Sequence, residues 1–157
     1  GSVTGKNHIA GIAGKIYATG GIFVSNCVNK CNITAEKETA AGIIGYIKMT
    51  KESYVNSCTN NGNVYQKETS LDGLWCPGGI VGFLDFVEEE NREAHFTDCH
   101  NSGEIKTDSI KGKPYGIIGN SIRSDQNTTL YVYFLDNCTT TGGIALANVD
   151  QGEAGTK

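Results

Sequence analysis

Proline is nearly absent from this 157-residue chain, with two residues; arginine is represented only by Arg92 and Arg123, and tryptophan only by Trp75. Two prolines beside 21 glycines exclude collagen and a Pro/Gly low-complexity linker. Two arginines and a net charge of -4 exclude a basic stripe for nucleic acid. No apolar run reaches about 18 residues, so no membrane-spanning helix is expected in this fragment. Charged residues make up 19% of the chain and hydrophobic ones 38%, which is not the composition of a disordered segment. No Cys-x-x-Cys and no His-Glu-x-x-His occurs, which removes the zinc-ribbon, thioredoxin-like and zincin readings. Gly1-Ser2 reads as a vector-derived remnant and residues 3–157 as one domain. Any native signal or anchor would then have been cut away.

What is abundant is glycine, and it is periodic. A block recurs as Ala10-Gly-Ile-Ala-Gly14, Ala41-Gly-Ile-Ile-Gly45, Gly78-Gly-Ile-Val-Gly82 and Tyr115-Gly-Ile-Ile-Gly119. A second block follows each, centred on Cys27, Cys58, Cys99 and Cys138. Three residues before each cysteine stand Val24, Val55, Phe96 and Leu135; six after stand Ile33, Val64, Ile105 and Ile144. Two after stand Asn29, Asn60, Asn101 and, as the exception, Thr140. Four after stand Gly62, Gly103 and Gly142, with Cys31 as the first-copy exception. The repeats are placed at about 8–40, 41–77, 78–114 and 115–150.

This period lies in the range of repeat arrays, and no helical apolar stripe accompanies it. Glycine, asparagine and β-branched residues predict short strands and tight turns, in the second copy at about 43–48, 54–58 and 63–67. The Gly-Ile-x-Gly glycines allow unusual φ or close backbone approach. Asn-x-Gly after the cysteine reads as a turn whose residues tolerate the left-handed region. Stacking of the copies at about 4.8 Å would build ladders of isoleucine, valine, cysteine and asparagine, the asparagines satisfying each other's amides.

These blocks resemble GLUG-type repeats, glycine-rich Gly-Gly-Ile-Val-Gly segments followed by Asn-Cys-x-Asn-x-Gly-x-Val. Residues 78–82 with Asp98 to Ile105, and 42–45 with Ser57 to Val64, carry the resemblance most clearly. The Asn-Cys pair itself stands at Asn26-Cys27 and Asn137-Cys138. Such repeats occur in secreted or surface-attached bacterial proteins, including adhesin-like proteins and some IgA-specific metallopeptidases. The resemblance implies a parallel β-solenoid, commonly a stalk or adhesive segment, and no catalytic residue. The expected fold is all-β, a right-handed parallel β-helix (β-solenoid) of about four coils.

The four in-phase cysteines read as a buried ladder. Disulfides between copies are the alternative, disfavoured because parallel neighbours hold Cβ atoms farther apart than the ~3.8 Å of a disulfide. A Cys27–Cys31 bridge across a turn is a second alternative. No local ligand pair supports a thiolate metal column. Glu93, His95 and His100 read as surface residues, with a weak metal site as the other reading. The acidic run of Asp85, Glu88, Glu89, Glu90 and Glu93 lacks the glycine of a calcium loop and reads as solvated. Trp75 either covers a long loop or is exposed for sugar or protein contact. Asn32-Ile-Thr, Asn127-Thr-Thr and Asn137-Cys-Thr match the glycan-acceptor pattern but read as turns and loops.

The distance from leading glycine to cysteine grows from 16 residues in the first two copies to 20 and 22. The extra residues, at about 48–53, 84–95 and 120–129, would align on one edge and build a binding face. Its candidates are Asp85, Glu88, Glu89, Glu90, Glu93, Arg123 and Trp75. The expected function is a non-catalytic adhesive or spacer module, secreted or at a bacterial cell surface. Expected partners are an unidentified host or cell-surface glycan or protein and neighbouring repeats; no cofactor is expected. The alternatives are a carbohydrate-active β-helix (polysaccharide lyase or hydrolase) and an accessory segment of a secreted peptidase.

Overall fold

A computed structural model describes residues 1–67, 75–86, 92–123, 131–146 and 153–155. All its regular structure is β, with no helix among the described residues. The strands fall into sets that follow the sequence period. The first set is β1 (Ser2–Gly5), β2 (Ile9–Ala10), β3 (Ala13–Ala18), β4 (Ile22–Ser25) and β5 (Val28–Asn29). The second is β6 (Asn32–Ala35), β7 (Ala40–Ala41), β8 (Ile44–Met49), β9 (Ser53–Asn56) and β10 (Thr59–Asn60). The third is β11 (Val64–Gln66), β12 (Val81–Phe86), β13 (Arg92–Thr97) and β14 (His100–Asn101). The fourth is β15 (Ile105–Thr107), β16 (Ile118–Arg123), β17 (Tyr131–Asp136) and β18 (Thr139–Thr140), with β19 (Glu153–Gly155) beyond it.

Each strand pairs with its equivalent in the neighbouring repeat, always in parallel. The sheets run β1-β6-β11-β15, β5-β10-β14-β18, β3-β8-β12-β16 and β4-β9-β13-β17-β19. The short pair β2-β7 is continued by single bridges from Ala41 to Gly78 and from Gly78 to Tyr115. The register aligns Val24, Val55, Phe96 and Leu135 as the sequence blocks predict, and also Ile33, Val64 and Ile105; Ile144, expected to continue that second column, is exposed and its N–H instead meets Pro114 O at 2.9 Å. Val55, Phe96 and Ile47 join Ile43, Ile80 and Ile117 in the main core; Ile33, Val64 and Ile105 centre a smaller one. In the second repeat the expected strands lie within about two residues of those observed. The two-residue strands escaped the pattern because two residues show no periodicity.

The corners differ from expectation in their chemistry. The left-handed non-glycine residues are His8 and, each immediately before a ladder cysteine, Asn26, Ser57, Asp98 and Asn137, all with φ of 50–55°. Asn and Asp tolerate that region best, and they hold three of the four places. The Asn-x-Gly glycines have no positive φ. A Cβ on Gly103 would collide with the carbonyl oxygen of Gly62 in the preceding repeat, so close approach keeps that position bare.

The asparagines do form a ladder, and it is buried. Asn29 Nδ2 donates to Asn60 Oδ1 at 2.7 Å, and Asn60 Nδ2 to Asn101 Oδ1 at 2.7 Å. Asn101 Nδ2 donates to Thr140 Oγ1 at 3.0 Å. The second proton of each amide goes to the carbonyl two residues on, Cys31, Gly62 or Gly103. Both donor protons of every asparagine are therefore used, which is what a buried amide requires.

The sequence pattern missed a fifth, shortened layer. Gly116 N–H donates to Ala145 O at 2.8 Å and Ile117 N–H to Leu146 O at 2.8 Å. Gly79 and Ile80 relate to the fourth repeat in the same way, through Tyr115 O and Ile117 O. Leu146 thus stands where Ile43, Ile80 and Ile117 stand, and it packs on the core. The strand β19 pairs with β17 in parallel beside it. Alanine replaces the leading glycine here, so the motif is not visible in the sequence.

Candidate functional site

Two outer surfaces carry chemistry. The first lies over β8 and β12. Trp75 packs against Phe83 at 4.6 Å between ring centroids and against His8 at 5.5 Å; Tyr46 and Phe83 stack at 5.6 Å. Trp75 is half-buried and packs on this aromatic group.

Asp85 belongs to this same surface and not to a solvated loop. It lies within β12, opposite Lys48 of β8, and is buried. The Tyr46 hydroxyl donates to its Oδ2, while its Oδ1 has no hydrogen-bond partner among the described residues. The strand continues through Leu84-Asp85-Phe86, whose outer residues set the core side, so the connection begins after Phe86. Burial first, and then the Asp85 carboxylate, pushes the Tyr46 phenol well up, so that hydroxyl stays a donor. Tyr46 and His8 gave no sequence signal, because their meeting depends on two different repeats.

His8 bridges repeats as well. Its Nδ1 lies 3.1 Å from Thr39 Oγ1 and its Nε2 3.1 Å from Glu38 Oε2. Burial lowers its pKa below 6.5, only partly opposed by Glu38. The folded chain therefore resists the proton that the unfolded chain accepts. Stability is expected to be full above the unfolded value near 6.5, and to decline as pH falls from there to the lower folded value. Urea midpoints at pH 7 and pH 5 check this: His8→Gln should flatten the decline, and an equal decline in both proteins would reject it.

The second surface is the outer face of β4, β9, β13 and β17. Phe23, Tyr54, His95 and Phe134 share a register position and stack at 5.1, 4.8 and 4.8 Å, within 13° of parallel. Glu93 Oε2 lies 2.9 Å from His95 Nε2, beside the stack. His100 instead meets Thr139 Oγ1 at 2.8 Å, so it does not join Glu93 and His95. No three metal-ligating side chains come together among the described residues.

The strands β3, β8, β12 and β16 end at Ala18, Met49, Phe86 and Arg123, which are register partners, so these strand ends share one edge; the next strand follows after three, three, five and seven residues. Glu88, Glu89 and Glu90 fall outside the described residues. Arg123 closes β16, and its side chain is likewise not described.

The in-phase cysteines are unbridged, as are Cys31 and Cys76. Cys58 and Cys99 are fully buried, Cys27 and Cys138 half-buried at the ends of the column. Each thiol faces carbonyls: Cys99 Sγ donates to Val55 O at 3.2 Å, in the preceding repeat, and lies 3.5 Å from Thr97 O. The cysteine thus serves the corner made by its left-handed neighbour. The neighbouring thiols of the column hold the Cys58 thiol down and push the Cys99 thiol up.

No family model, no curated protein and no solved structure matches the chain.

Proposed function

We propose that this chain is a right-handed parallel β-solenoid serving as a non-catalytic adhesive or spacer module of a bacterial secreted or cell-surface protein. The right hand follows from the general rule for parallel β crossovers. The observation that carries the reading is the parallel register of equivalent residues across all four repeats. Such a register builds columns of like side chains in the interior, among them Ile43, Ile80 and Ile117. The GLUG-type resemblance supplies the bacterial surface setting.

The partner, a glycan or protein of a host or cell surface, is placed on the edge where the connections lengthen, beside Glu93 and the Phe23–Phe134 stack. Arrays of glycans and immobilised extracellular proteins test this with the labelled chain. Deleting residues 87–90 is expected to weaken a detected interaction about tenfold or more, the scale of losing a central contact group. Unchanged binding after that deletion would remove the edge from the proposal. Shortening of a polysaccharide by the chain alone would favour the lyase or hydrolase reading instead.

A further inference from the structure

The surface over β8 and β12 holds a carboxylate that the chain itself only half satisfies. Asp85 alternates with the core residues Leu84 and Phe86, so it stands on the outer side of β12, yet it is only 6% exposed. Its Oδ2 accepts from the Tyr46 hydroxyl, and its Oδ1 has no donor. Lys48 is its register partner on β8, but the Lys48 ammonium lies 5.5 Å from the centre of the Tyr17 ring, toward the first repeat. The ion pairs between described residues are His8–Glu38, His95–Glu93 and Lys106–Glu104, and none of them reaches Asp85. A carboxylate taken out of water calls for a cation or a further donor at its open oxygen.

The surroundings decide which kind of cation. Phe83, two residues before Asp85 on the same side of β12, stacks on Tyr46 at 5.6 Å. Trp75 lies 4.6 Å from Phe83 and 6.4 Å from Tyr46. One ammonium already uses this group, since Lys15 Nζ stands 4.6 Å from the centre of the Tyr46 ring. The register order Lys15, Tyr46, Phe83 puts that lysine on the Tyr46 face turned away from Phe83. Tyr46 and Phe83 are buried and Trp75 is half-buried, so the indole is the most open of the three rings. Ring faces attract ammonium groups, and tryptophan does so best. A calcium ion gathers about six to eight oxygens, whereas no three metal-ligating side chains meet among the described residues.

We infer that Asp85 and the rings of Trp75, Phe83 and Tyr46 form a site for the primary ammonium group of a ligand, with an N–H donated to Asp85 Oδ1 and the charge set among the rings. A lysine side chain and an amino sugar carry that group alike. The inference rests on the open carboxylate oxygen and the rings beside it, and not on the adhesive role or on the edge where the connections lengthen.

Trp75 is the single tryptophan, so its fluorescence reports on this site alone. The intact chain is titrated at constant ionic strength with methylammonium, Nα-acetyl-lysine amide, glucosamine and tetramethylammonium. The three primary amines should shift the emission saturably. Tetramethylammonium has the same charge and no N–H, and should bind about tenfold or more weakly, the scale of one hydrogen bond to a charged group. The tighter of the lysine amide and glucosamine tells a protein source from an amino sugar. Asp85→Asn keeps the shape but removes the charge and gives the position its own N–H, so the preference for primary amines should vanish; circular dichroism checks its fold. No saturable shift with any primary amine, or equal binding of methylammonium and tetramethylammonium, would overturn the inference. Both are read on the wild-type chain, so they decide even where the variant fails to fold. A folded Asp85→Asn protein that binds the amines as wild type does would overturn it as well.

Discussion

Gly79→Ala is expected to destabilise the chain by at least about 3 kcal/mol, the upper range for overpacking a rigid site. A Cβ there would collide with the carbonyl oxygen of Gly116 and lie 2.6 Å from Asn101 Cγ. Neither neighbour can yield. The carbonyl belongs to the backbone at the same corner of the next repeat. The asparagine is held at Nδ2 by both Gly103 O and Thr140 Oγ1. The same geometry recurs at Gly42, whose added Cβ would meet Gly79 O and the Asn60 amide. The leading glycine of one block and the asparagine of the other are thus one device, since the amide leans over the place where a side chain would be. Urea unfolding followed by circular dichroism measures the loss. A Gly79→Ala protein within about 1 kcal/mol of wild type would show that the corner relaxes more freely than its neighbours suggest.

The second large effect is expected at Asn60. Asn60→Ala leaves Asn101 Oδ1 without its inter-repeat donor, takes the Oδ1 acceptor from Asn29, and frees Gly62 O, all within the interior. A few orphaned buried groups at about 1–3 kcal/mol each make a loss of about 3 kcal/mol or more. Asn60→Thr should do little better. A threonine hydroxyl has one proton, and in the middle of the ladder two acceptors need one each. At position 140 threonine suffices, because it accepts from Asn101 and donates only to Gly142 O. Thr140→Asn should therefore be nearly neutral. Equal losses at positions 60 and 140 would show that the ladder is not what stabilises the corner.

Much of this architecture is readable from the chain because each repeat restates it. The apolar positions three before each cysteine and six after the first three are strand residues facing a core, and repetition separates them from noise. The reasons behind the motifs are less visible. Gly62 and Gly103 read as turn glycines, whereas their role is to admit the carbonyl of Cys31 or Gly62, a contact across a whole repeat. Asn26, Ser57, Asp98 and Asn137 carry the left-handed corners, and their shared property is conformational, so four copies show three residue types. Asp85 was misplaced because a lone acid before an acidic run looks like part of that run. Its partner Tyr46 comes from the previous repeat. Ala145 and Leu146 continue the array with alanine in the place of the leading glycine, so the motif does not show there.

The connections between the two main sheets lengthen from three residues at 19–21 and 50–52 to five at 87–91 and seven at 124–130. The strands on either side keep their pairing throughout. Chain length at this edge is therefore a free variable, decoupled from the frame that carries it. Diversity can accumulate there without renegotiating the interior, while one added methyl group at a leading glycine cannot be absorbed. The chain separates what must be copied from what may be varied, and the boundary falls at the ends of β3, β8, β12 and β16.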